Sequence, residues 1–299
     1  MNRFDLLNSI RSEGRRSDTE ISNHEALGVS KDARGIRIAW MYPDILQMHG
    51  GRGDVMALLH FSNLMNLPCT IRKVNTLADS IPFDWADMLI FPPGDLSAME
   101  DIVKALHPYK ADFQRYADAG KIILVNGSSG AIFAEGTRRQ DGTKFPGLGL
   151  LRMQLKGRVK VYGNDLWITL PDGTELLGPQ IQMADVLLRP EQQPLGKVVY
   201  GRGNNEKGDE GARTKNVIFT HVLGPLLVKN PRFTEKLLLQ MAVSAGLLPD
   251  GTEPADLPDS SEQTAGIRTL SDSDIRLEQE SLDDLKEFIH KKETGVITW

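Results

Sequence analysis

Few residues in this chain have the type and placement for covalent chemistry. The stretch "KIILVNGSSGAIFAE" (121–135) sets Ser128 and Ser129 between an apolar run and a helix-like run. A buried strand that breaks on small residues and re-enters as a helix is how several hydrolase folds present a nucleophile, the strained turn demanding small residues on either side of it. Gly130 meets the later requirement and Asn126 meets the earlier one poorly. The same stretch also fits an ordinary strand-to-helix turn. A serine nucleophile needs a base within hydrogen-bond reach and donors for the oxyanion. His221, directly after "NVIFT", is the candidate base, against the plainer reading of a histidine satisfied at a strand end. The "FPPGD" loop (91–95) offers the Gly94 N–H as an oxyanion donor with Asp95 beside it, and Ser129 offers a second N–H; Pro93 has none to give. Cys69 lies mid-strand in "LPCTIRKV" and is expected to be a core thiol. His49, His60, His107 and His290 have no metal-ligand spacing, and neither a zinc motif nor a P-loop is present.

Regular elements must position these residues. "IRIAWM", "CTIRKV", "ADMLIFPPGD" and "KIILVN" are apolar runs of strand length, interleaved with "GDVMALLHFSNLMN" at helical spacing and with a helix expected over 97–119, capped by Ser97 and stopped at Gly120. Such alternation implies an α/β domain with a largely parallel sheet covered on both faces, and ligands on such sheets sit at the carboxyl ends of the strands. The 92–95 and 126–130 loops both fall there. From about 145 to 220 the runs become short and β-rich ("RVKVYG", "LWITLPDGTELLG", "KVVYGRG") and are expected to pair antiparallel within the same domain. A last strand, a Gly-Pro loop and a helix with Pro231 near its start and Gly246 at its end follow. The expected organisation is an N-terminal arm over 1–34, a core domain over 35–246, a linker over 247–270 and a C-terminal amphipathic helix within 271–299. That helix sets Ile275, Leu282, Leu285 and Ile289 on one face, to pack on the protein's own surface or to take a partner.

At 299 residues, 40% of them hydrophobic, the chain can bury a sizeable core. Its 35 Lys and Arg against 40 Asp and Glu leave a net charge of -5, which gives no overall footprint for nucleic acid or an anionic membrane. No apolar run approaches the roughly 18 to 20 residues needed to cross a bilayer, and the start lacks the apolar core of a signal peptide, so a cytoplasmic location is expected. A single cysteine excludes an internal disulfide and a cysteine-based metal site.

The stretches "MYPDILQMHGGRGDVMAL", "FPPGD", "KIILVNGSSGAIFAEG", "FPGLGLL" and "PLGKVVYGRGNNEKGDEGARTKNVIFTHVLGPLLVKNPRF", in that order over about 36–246, resemble the CobB/CobQ-type class I glutamine amidotransferases. Within that group the chain is most similar to the glutaminase subunit of lipid II isoglutaminyl synthase. The resemblance implies a flavodoxin-like α/β domain in which an elbow cysteine attacks the side-chain amide of glutamine to give a glutamyl thioester, assisted by a histidine near the tail strand. It implies that ammonia passes to a Mur-ligase-family partner that amidates the stem peptide of lipid II. It implies no cofactor in this subunit, the ATP and divalent cation belonging to the ligase. A thiolate suits a poor electrophile such as an amide.

This chain departs from that pattern in each catalytic segment. Where the family has approximately Val-Cys-Gly-Gly-Tyr-Gln, gap-free alignment puts Gly127 at the cysteine position; a slide of one residue puts Ser128 there, with Gly130 correctly placed and Ile132 opposite the family's glutamine. The family's histidine position falls on Leu223, with His221 two residues earlier. A family Asn-His pair is Gln-Ile in "GPQIQMADVLL", and the oxyanion loop carries Pro92 and Pro93. The departures imply a degenerate glutaminase that keeps its fold and partner surface, or an active amidase of glutamine or small amides built on Ser128, His221 and the N–H groups of Gly94 and Ser129. A misaligned ordinary enzyme and a binding protein for a small metabolite are further alternatives.

Overall fold

The computed structural model describes residues 20–260 and 266–296. In chain order these form β1 (Glu20–Ser22), β2 (Ile36–Met41), α1 (Gly51–Leu64), β3 (Cys69–Val74), β4 (Met88–Phe91), α2 (Met99–Leu106), α3 (Lys110–Asp118) and β5 (Ile122–Asn126). A short helix α4 (Gly130–Phe133) leads into the strands β6 (Gly136–Arg138), β7 (Lys144–Pro146), β8 (Met153–Thr169), β9 (Glu175–Leu188), β10 (Gly196–Tyr200), β11 (Asp209–Glu210), β12 (Ala212–Thr214) and β13 (Val217–Thr220). Helices α5 (Leu226–Lys229), α6 (Pro231–Ser244) and α7 (Arg276–Glu293) follow.

The main sheet runs β1-β3-β2-β4-β5-β13-β12, with β3, β2, β4, β5 and β13 mutually parallel and the two outer strands antiparallel to their neighbours. Numbered by chain order, those five parallel strands read 2-1-3-4-5, the flavodoxin-like order, whose ligand crevice lies beyond the carboxyl ends of the strands. Side chains alternate across each strand, so Ile36, Ile38 and Trp40 join a core with α1 and α6, while Ala39 and Met41 join one with α2 and α3. Both faces are covered, which is why these strands are apolar almost throughout. A second sheet, β11-β10-β8-β6-β7 with β9 paired to β8, forms the β-rich extension.

The single helix expected over 97–119 is two, because a 3-10 turn at His107–Tyr109 carries Pro108, which cannot donate to the preceding turn. Its cap is Asp95 and not Ser97: the Asp95 carboxylate accepts from the Ser97 N–H at 2.8 Å. Of the expected arm, residues 1–19 lie outside the described residues. Its remainder enters the sheet, β1 pairing with β3 and the buried Asn23 side chain bonding Cys69 N at 2.8 Å and Leu67 O at 3.0 Å. Over 247–270, of which 261–265 fall outside the description, a bridge joins Asp259 to Thr269 and the Leu270 N–H donates to Glu235 at 2.6 Å. Ile275, just before helix α7, and Ile289 within it are buried, the helix packs near α5, and its Lys286 pairs with Glu175 over the Trp167 ring, so this side of the helix lies on the protein's own surface. Among the described residues no helix is long and apolar enough to cross a membrane.

Candidate functional site

The loops that leave β2, β4, β5 and β13 meet at one edge of the main sheet. Thr220 stands opposite Asn126 in the register, so His221 and Gly127 leave the sheet side by side. They line a cleft with His49, Pro93, Gly94, Ser128, Gln182 and Leu223. Its free volume is about 30 Å³, room for one or two water molecules and far below the roughly 300 to 1,000 Å³ of ordinary ligand pockets.

Gly127 turns the chain out of β5 with φ +55°, a left-handed conformation that strains any other L-residue. A Cβ at this position would stand 3.0 Å from Leu223 Cδ2 and 3.1 Å from Pro93 Cβ. The strained point of the elbow therefore belongs to Gly127, and the space where its side chain would project is walled by two apolar groups. Ser128 is next along, and its Oγ donates to Gly94 O at 2.5 Å and accepts from Gly94 N at 3.0 Å. Ser129 Oγ donates to Pro92 O at 2.5 Å from a fully buried position outside the cleft lining. Both hydroxyls thus clamp the Pro-Pro-Gly loop to the elbow. The Gly94 N–H expected to serve an oxyanion is occupied by Ser128 itself, and Asp95, expected beside the pocket, caps the following helix turn and does not line the cleft.

His221 is oriented by an acid. Its Nδ1 lies 3.0 Å from Glu210 Oε2, its backbone N–H donates to Glu210 Oε1 at 2.6 Å, and Thr220 Oγ1 donates to the same oxygen at 3.0 Å. Glu210 is fully buried. Burial alone would push its carboxyl up, yet the opposing His221 charge and the hydrogen bonds from His221 and Thr220 outweigh that and hold it below the usual range. A carboxylate on Nδ1 is the base-and-orienter half of a catalytic triad. Among the described residues no hydrogen bond joins His221 to Ser128.

Glu210, Gln182 and His49 are the site residues that motif reading does not single out. Glu210 is one of two acids, with Asp209, between the glycines of "KGDEGAR", and only the pairing of β12 with β13 brings it under His221. Gln182 belongs to a buried network: it accepts from Gln180 Nε2 at 3.0 Å and donates to Asn204 O at 2.9 Å. His49 fixes the approach of the tail loop, since a Cβ on Gly224 would fall 1.4 Å from His49 O. Nearby, Asp54 accepts from Leu227 N at 2.7 Å, and burial pushes its carboxyl up to about 7 against that hydrogen bond. Cys69 is buried in β3, where desolvation raises its thiol to about 12 and makes it a poor nucleophile.

No protein-family model matches the chain. It is similar to the lipid II isoglutaminyl synthase (glutamine-hydrolyzing) subunit GatD of Streptococcus pneumoniae, 24% identical over 212 residues that cover 68% of this chain and 79% of that protein. It is 23% identical over 205 residues to the subunit of the same name from Staphylococcus aureus, covering 68% and 83% respectively. Among solved structures, PurLQS from Thermotoga maritima aligns with a TM-score of 0.48 at 13% identity, over 71% of this chain and 98% of that one.

Proposed function

We propose that the chain is a glutamine amidotransferase-like subunit in the amidation of lipid II or a related cell-wall precursor, and that its own glutaminase centre has been lost. The similarity to GatD subunits supports the first part. The second rests on the elbow: Gly127 holds its left-handed position with no side chain, and Leu223 and Pro93 close the space in front of it. A thioester route without a thiol at this point loses many powers of ten in rate, since catalytic groups that act together fail together. In this reading the chain acts in the cytoplasm with a Mur-ligase-like partner that brings the ATP and divalent cation, and carries no cofactor of its own. It contributes a docking scaffold. The test is an ammonia-release assay of the purified chain on glutamine, alone and with its co-purified ligase. No release in either case, with amidation sustained by added ammonium salt, is expected; turnover that depends on His221 overturns the loss, and failure to co-purify with any ligase counts against the assembly.

A second reading has one observation in its favour. His221, held by Glu210, and Ser128 line the same cleft; an amidase would need Ser128 to leave Gly94, a backbone shift that brings it to His221, and a cleft opened for the substrate. Ser128→Ala should abolish hydrolysis of glutamine or small amides in that case. Unchanged turnover in the variant, or none in the parent protein, removes this reading.

A further inference from the structure

The β-rich extension carries a charge pattern that the cleft does not use. β6 lies between β7 and β8, and the register sets Arg138 opposite Lys144 on one side and opposite Lys156 on the other. Their neighbours Thr137, Phe145 and Leu155 are buried, so by strand alternation the three cations stand in one row on the exposed face. Like charges directly opposite one another weaken a sheet, and among the described residues none of the three has an ion-pair partner. One strand further along the row, Asp185 faces Lys156 but is engaged by Arg158 at 2.8 Å and Arg202 at 3.0 Å. Beside the row lies a cleft of about 380 Å³ walled by Arg138, Lys144, Pro146 and Gln154, with Gly136 among its lining residues. Glu135, also in its lining, is tied to Arg189 at 2.8 Å. In a chain of net charge -5 this is a local cationic excess over open space.

We propose that the Lys144–Arg138–Lys156 row binds a multiply charged oxyanion of the phosphate-ester class. The Arg138 guanidinium supplies paired N–H donors in the fork that fits such an anion, and the two flanking ammonium groups add point charges. The bound anion removes the repulsion that the bare row suffers. A phosphorylated soluble metabolite and a phospholipid headgroup share this chemistry, and two probes separate them. The purified full chain is titrated with inorganic pyrophosphate, and in parallel floated with phosphatidylglycerol–phosphatidylcholine vesicles against phosphatidylcholine alone. Arg138→Gln and Lys144→Gln are compared with the parent in both arms. Saturable binding of at least one probe is expected, weakened roughly tenfold in Arg138→Gln, with both variants melting no lower than the parent. Pyrophosphate binding without vesicle retention assigns a soluble ligand, and retention without pyrophosphate binding assigns a headgroup. No binding of either probe, or binding undiminished in Arg138→Gln, overturns the site.

Discussion

The tail loop and the elbow cleft share one edge of the main sheet and are built in opposite ways. In the tail, Asn230 bonds Leu177 N at 2.8 Å, Leu177 O at 3.0 Å and Leu226 O at 2.8 Å, and Asp54 holds Leu227 N. Earlier in the chain, the Asn204 side-chain amide donates to Gly211 O and accepts from Gly211 N, both at 2.9 Å. In the cleft Gly127 presents no side chain, Ser128 is bonded to Gly94, and Leu223 and Pro93 stand where a side chain at 127 would project. The asymmetry follows from what each change costs. Removing one partner of a buried hydrogen bond strands the other, whereas exchanging facing polar groups together for apolar ones is close to neutral. On the proposed reading, a catalytic centre can therefore be lost piece by piece while the polar network that fixes the fold stays whole.

Breaking the tail should cost most. Asn230→Ala strands both backbone groups of Leu177 and is expected to destabilise the fold by about 4 kcal/mol in denaturant unfolding, with no change in any cleft property. Asp54 tests the same region through pH. Its folded carboxyl sits at about 7 against 3.8 for the ordinary group, so its contribution is complete below pH 3.8 and is lost as pH rises through 7. Between pH 5 and pH 8 this removes roughly 3 kcal/mol of stability. Asp54→Asn should abolish that slope and be the more stable protein at pH 8; a parallel slope in both proteins would contradict the assignment. The cleft should give less. Gly127→Ala is expected to cost about 2 kcal/mol from its left-handed backbone and the contacts with Leu223 and Pro93. Combined with Leu223→Ala, the loss should fall short of the sum by roughly 1 kcal/mol, because the two changes act on one space; strict additivity would mean that Leu223 does not close the elbow.

The parallel sheet was legible because each central strand is an apolar run followed by loop residues, and the pairing of "NVIFT" beside "KIILVN" follows from that topology. The break at Pro108 was also written in the sequence, but a continuous apolar spacing on either side hides it. The packing of 266–271 was not legible: Leu270 and Ser271 are buried through contacts with Glu235 and Asp274, residues whose approach no local pattern announces. At the site, alignment places Leu223 where a histidine would stand, yet only the fold tells whether that leucine faces Gly127 or turns away. Glu210 was hidden for a related reason, since its role comes from the antiparallel register of β12 and β13 and not from a motif along the chain.

The central claim is that no nucleophile stands at the elbow, and the most direct measurement is the intact mass of the protein after incubation with an electrophilic glutamine analogue that traps amidotransferase nucleophiles. The account predicts an unmodified mass, with Ser128 retained by Gly94 and Cys69 shielded in β3. A stoichiometric adduct mapping to Ser128 would contradict it.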